Sequence, residues 1–108
     1  MSLQDTSPDN GYLLTSVVAT GYGNAASVKD HKCFLIFFAA SGNINGGASI
    51  DIETMGPDGN WYAISSVVFS STKTSQAPIP FEGAYYQIRA NVTSWVDGTY
   101  TVMILKKA

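Results

Sequence analysis

Apolar and polar residues alternate with a period of two along most of this 108-residue chain, and no stretch of useful length carries apolar residues at helical spacing. Gly, Asn-Gly and Pro interrupt the pattern every ten residues or so. A period of two places successive side chains on opposite faces of a strand, so the chain is confined to β-structure. The fold class read from this pattern is all-β, a two-sheet antiparallel β-sandwich in either jelly-roll or immunoglobulin-like order.

The spacing predicts strands over Tyr12–Ala19, Ala26–Lys29, Lys32–Ala40, Ala48–Met55, Trp61–Phe69, Ala84–Thr93 and the terminal "TYTVMILK". In "ASIDIETM", Ala48, Ile50 and Ile52 form the inward set and Ser49, Asp51 and Glu53 the outward one. Pro57 presets φ and Gly59 accepts a positive φ, which makes Gly56–Gly59 a turn. Asp97-Gly98 reads as a hairpin turn. "SSTKTSQAPIP" is a polar connection long enough to cross between sheets. In "AYYQIRANVT", Tyr86, Ile88, Ala90 and Val92 alternate with Tyr85, Gln87, Arg89 and Asn91. Residues 1–11 read as a flexible arm and residues 12–108 as a single domain.

Composition narrows the function. Charged residues make up 13% of the chain and the net charge is −2, with no basic cluster beyond Lys106-Lys107, so nucleic-acid binding through a basic stripe is not expected. The N-terminal residues lack the pattern of a secretory signal, and the longest apolar run, Cys33–Ala40, is far shorter than the ~20 residues of a membrane span. A soluble protein synthesised in a cytoplasm, with no membrane partner, is the expectation. The lone Cys33 is expected as a buried apolar thiol, and His31 as a surface residue at a strand entry. One His and one Cys cannot close a zinc site, so no metal and no cofactor are expected.

Asp51 and Glu53 stand two apart on one strand face, about 6.5–7 Å, near the carboxylate spacing of inverting glycosidases. An alternating solvent face offers no apolar cleft to raise one carboxyl pKa, so no catalytic residues are assigned and the chain is not read as an enzyme. Glu53 has a better use in a structural ion pair with Arg89 across strands. Asn91-Val92-Thr93 matches a glycosylation acceptor but lies inside a predicted strand. Trp61, Tyr62 and Trp95 are the candidate residues for glycan stacking.

"CFLIFFAA", "VMIL" and "SVVF" lack the polar face that an isolated sandwich strand should carry. Strands apolar on both faces need cover, and the scarcity of charge fits an interface. The candidate assembly interface comprises Phe34, Ile36, Phe38, Met103 and Leu105, with Cys33, Leu35 and Phe37 on the opposite side of the same strand; alternation alone leaves open which set fills the core.

"VVATGYGNA", "ASIDIETMGPDGNWYAI" and "YYQIRANVTSWVDGTYTVMI" together resemble the small β-sandwich virion proteins of tailed bacteriophages. Glu53, Asp58, Gly59 and Trp61 match that family's first hairpin. Tyr86, Arg89, Ala90, Val92 and Thr93 match its next strand, and Gly98, Thr99, Thr101 and Val102 its last hairpin. The resemblance covers the chain from about Val17 onward. It implies a non-enzymatic capsid decoration or cement protein on the virion exterior, stabilising the shell. Its implied partners are the major capsid protein and copies of itself in a homo-oligomer. The alternative is a carbohydrate- or receptor-binding module of a phage tail or fibre. The Tyr86 to Arg89 spacing predicts a core tyrosine with an outward arginine.

Overall fold

The computed structural model describes residues 10–107; residues 1–9 of the expected arm lie outside the described residues. Among the described residues nine strands form, β1 (Asn10–Val17), β2 (Gly21–Tyr22), β3 (Ala26–Ser27), β4 (Cys33–Ser41), β5 (Ala48–Met55), β6 (Trp61–Phe69), β7 (Ile79–Glu82), β8 (Gln87–Trp95) and β9 (Thr99–Lys107). The first strand begins at Asn10, inside the segment read as arm. Sheet A has the order β1-β9-β4-β7, and sheet B the order β2-β8-β5-β6 with β3 also paired to β8.

Taken together, β2 and β3 are one broken strand, and the pairing is then nested. The first strand pairs with the last, the second with the seventh, the third with the sixth and the fourth with the fifth. A single long hairpin wound onto itself produces this arrangement, which is the jelly roll. An immunoglobulin-like order would set several consecutive strands side by side; here the one consecutive pair between full strands is β5–β6. The Asp97-Gly98 turn therefore makes no hairpin. It carries the chain from β8 in sheet B to β9 in sheet A, and Gly98 supplies the positive φ of +93° that the corner needs.

The core lies between the sheets. Sheet A contributes Phe34, Ile36, Tyr100, Val102 and Ile104, and sheet B contributes Ile50, Ile52, Val67, Phe69, Ile88, Ala90 and Val92. The Phe69 and Tyr100 rings meet across the layers at 5.2 Å. No polar or charged residue is buried among the described residues, so the core is held by apolar burial and shape. The alternation read in "AYYQIRANVT" starts too early, because the strand begins at Gln87. Tyr86 is 50% exposed rather than a core residue.

Asp97 locks one end of the roll. Its carboxylate accepts backbone N–H bonds from Gly47 at 2.7 Å, Asn45 at 3.1 Å and Gly46 at 3.2 Å. Its own N–H and that of Val96 donate back to the Gly47 carbonyl. Tyr100 Oη donates to the Asp97 carbonyl at 2.8 Å and Trp95 Nε1 to the Gly98 carbonyl at 3.0 Å. The Gly47 N–H above all, with those of Gly46 and Asn45, favours the carboxylate and lowers the Asp97 pKa.

A lowered folded-state pKa contributes stability that is complete above the ordinary carboxyl value and fades as pH falls through the folded one. Thermal unfolding followed by circular dichroism should therefore show a melting temperature that declines below about pH 4–5. Asp97→Asn should lower the neutral-pH melting temperature and flatten that acid decline. Asp58, whose pKa is lowered chiefly by the Tyr62 hydroxyl, contributes to the acid dependence that remains. An unchanged acid limb in Asp97→Asn would remove the anchor.

Candidate functional site

The outer faces of the two sheets differ in kind. Because β4 alternates, burying Phe34 and Ile36 at 3% and 0% exposure sends Cys33, Leu35, Phe37 and Ala39 outward. The register then assembles two apolar rows. Tyr12 stands opposite Met103, which stands opposite Phe37. In the second row Pro80 faces Leu35 and Leu35 faces Leu105. Leu35, Phe37, Met103 and Leu105 are half-buried, while Tyr12 and Pro80 are exposed. A hollow of about 220 Å³ beside the second row is lined by Cys33, Leu35, Pro80, Glu82 and Leu105, with Phe34 and Phe81 behind them.

This register corrects the grouping drawn from sequence. Phe34, Ile36 and Phe38 belong to the inter-sheet core, whereas Met103 and Leu105 lie on the other side of the same sheet. Five residues taken as one interface are split by the period of two. The companions of Met103 and Leu105 are Leu35 and Phe37. Cys33, expected as a buried thiol, is half-buried on this outer face. His31 precedes β4, half-buried, with its N–H bonded to the Val28 carbonyl at 3.0 Å.

The outer face of sheet B is polar and carries one row that spans four strands. Glu53 of β5 stands opposite Arg89 of β8, and Arg89 Nε donates to Glu53 Oε1 at 2.7 Å. The guanidinium lies between two rings, 4.1 Å from the centroid of Tyr22 on β2 and 4.3 Å from that of Trp61 on β6. Asn91 Nδ2 donates to Glu53 Oε2 at 3.2 Å. The row Tyr22-Arg89-Glu53-Trp61 thus clips the whole sheet together, with an ion pair and two cation–π contacts. Both Glu53 oxygens are engaged, one by Arg89 and the other by Asn91. No group of His, Cys, Asp and Glu able to hold a metal ion occurs among the described residues, and no described helix is long and apolar enough to cross a membrane.

The three aromatic residues proposed for glycan stacking do not share a surface. Trp61 packs on Arg89 on the outer face of sheet B. Tyr62, next in sequence, points to the other side of β6 and donates its hydroxyl to Asp58 at 2.5 Å across the turn. Trp95 pairs with Ala48, whereas Trp61 pairs with Met55, so seven residues of β5, about 23 Å of strand, separate them. Sequence reasoning gave Tyr22 no part beside Arg89, and gave Tyr12 and Pro80 none in the apolar rows. Leu35 and Phe37 were visible as one of two equally apolar sets in β4, but nothing local marks Tyr22 as a partner of Arg89.

No family model matches the chain, and no curated protein matches it in sequence. Its fold is similar to that of the crystal structure of SPBc2 prophage-derived protein YomS, with a TM-score of 0.71 and 12% identity over 91% of both chains. At that identity the likeness is one of fold.

Proposed function

We propose that the chain is a non-enzymatic structural protein of a bacteriophage virion, a capsid decoration protein that seats on the shell exterior and stabilises it. The single observation that carries this reading is the outer face of sheet A. Six apolar side chains from four strands form one continuous surface, and such surfaces on folded proteins mark places of association. A face of four strands at about 4.8 Å spacing and nine residues at about 3.3 Å measures some 19 by 30 Å. Covering it would bury on the order of 1,100 Å² across both partners, the lower range of specific interfaces. The prophage origin of the similar fold and the matched motifs from Glu53 to Val102 support the phage assignment. The engagement of Glu53 by Arg89 and Asn91 supports a role without catalysis.

In this reading the major capsid protein covers the Leu35–Leu105 and Phe37–Met103 rows, and the virion is where the chain resides. The test uses capsids stripped of the protein and cosedimentation with purified chain. Wild type should bind in many copies per capsid. Leu105→Lys sets an ammonium in the centre of the apolar rows without entering the core, and should weaken binding by about 30-fold or more, the size of an interface hot spot. Binding equal to wild type in that variant, or no capsid binding by wild type, would overturn the reading. Retention on a glycan array instead would install the tail-module alternative.

A further inference from the structure

A β-sandwich exposes four sheet edges, and three of them here carry devices that prevent pairing. β1 is broken by two register shifts and by Ser16 at φ 48°. β7 has four residues and contains Pro80. β2 and β3 are two-residue pieces. The fourth edge, β6, runs nine residues from Trp61 to Phe69 with no proline and no charge, and is paired on one side by β5; its one irregularity is a bulge at Ile64, between Ala63 opposite Glu53 and Ser65 opposite Ile52, which sets Ala63 and Val68 on the same face. Among the described residues no loop or turn backbone hydrogen bond lands on its other side. Tyr62 and Val68 along it are 50% and 52% exposed. A long, uncharged edge with no proline and a single bulge is a template for strand addition, and natural monomers avoid one.

We infer that β6 is a self-pairing edge, joining two copies of this chain as antiparallel β6 strands about a two-fold axis. An identical antiparallel strand satisfies the free N–H and C=O groups of both copies in one ladder. The edge brings no like charges together. The flanking charges are complementary, because antiparallel pairing sets the Asp58 turn ahead of one β6 beside the Lys73 turn after the other. The result is one continuous sheet built from both copies of sheet B. A two-fold axis that relates neighbouring antiparallel strands stands perpendicular to their sheet, so both sheet A outer faces end on the same side. Two copies then engage a lattice together, with the gain that linked sites confer.

The test is the solution mass of the full chain by light scattering, with hydrogen exchange read strand by strand. Wild type should have twice the 11.5 kDa chain mass, and β6 amides not bonded to β5 should lose protection on dilution. Ala63→Lys with Val68→Lys changes two exposed positions on one face, which antiparallel pairing brings toward each other across the joint. This double variant should be monomeric, with the circular dichroism spectrum and melting of a folded sandwich and with fast exchange in β6 at every concentration. A monomeric wild type would overturn the inference. So would a double variant that keeps the doubled mass, or a dimer whose β6 exchange ignores dilution. Leu105→Lys leaves this readout unchanged, so the edge and the capsid-facing surface fail or stand separately.

Discussion

Gly47→Ala is expected to lower the melting temperature by about 20 °C or more, or to prevent recovery of folded protein. A Cβ at Gly47 would lie 1.8 Å from the Phe69 carbonyl oxygen and 2.4 Å from its carbon. Those atoms are backbone in the β5–β6 ladder, where Ala48 is registered to Phe69, so no side-chain rotation relieves the contact. The φ of +81° adds the strain of a left-handed alanine, about 1–2 kcal/mol. Displacing Gly47 also breaks what it anchors, since its N–H donates to Asp97 and its carbonyl accepts from Val96 and Asp97. A loss of about 4–5 kcal/mol belongs to the rare severe class of substitutions, against a total stability of about 5–15 kcal/mol. At about 4–8 °C per kcal/mol for a domain near this size, the shift is large enough to read without fitting. Gly59→Ala is the control. Its φ is +84°, but nothing lies within 4 Å of the added carbon, so strain alone acts. Equal losses in the two variants would show that the close approach at Gly47 is not the cause.

The residues around Gly47 also show what a sequence can and cannot carry. The β5 and β6 strands match their predicted bounds, Ala48–Met55 and Trp61–Phe69, because strict alternation meets a Pro57 and Gly59 turn and both signals are local. The two short pieces β2 and β7 have no such pattern. Gly21–Tyr22 and Ile79–Glu82 are strands because β8 and β4 offer them partners, and Pro80 disguises the second since proline is tolerated at an edge. The jelly-roll order is a property of nested long-range pairing, which periodicity does not encode. In β4 both alternating sets are apolar, so the choice between Phe34, Ile36 and Phe38 and the set Cys33, Leu35 and Phe37 rests on which faces sheet B. That choice decides the candidate site, and it was illegible. The Glu53–Arg89 pairing was legible because both residues sit on outward positions of alternating strands, where an unpaired charge pair finds its partner by register.

Arg89→Ala is expected to cost about 3 kcal/mol, at the lower end of the range for breaking a shielded ion pair. The Arg89 and Glu53 side chains are 15% and 12% exposed, so solvent screening is limited and an unpaired Glu53 would keep only the Asn91 bond. The loss reaches beyond the pair. Tyr22 and Trp61 each lose a guanidinium packed on their rings, a contact worth about 0.5–2 kcal/mol depending on exposure, and the outermost strands of sheet B lose their common tie. Lys73→Ala is the comparison, because Lys73 is exposed and bonds Gln76 and the Ser70 turn; a surface change of that kind stays within about 0.5 kcal/mol. Arg89→Lys should fall between them, since an ammonium keeps the charge but cannot lie flat between two rings while donating sideways to Glu53. Urea unfolding at neutral pH gives all three. Equal midpoints for Arg89→Ala and Lys73→Ala would reduce the four-strand row to decoration. The same variant separates structure from association, because Arg89 lies on the outer face of sheet B and the Leu35–Leu105 row on that of sheet A. At temperatures where Arg89→Ala remains folded, its capsid affinity should equal wild type, and a loss there would move the docking surface to the other sheet.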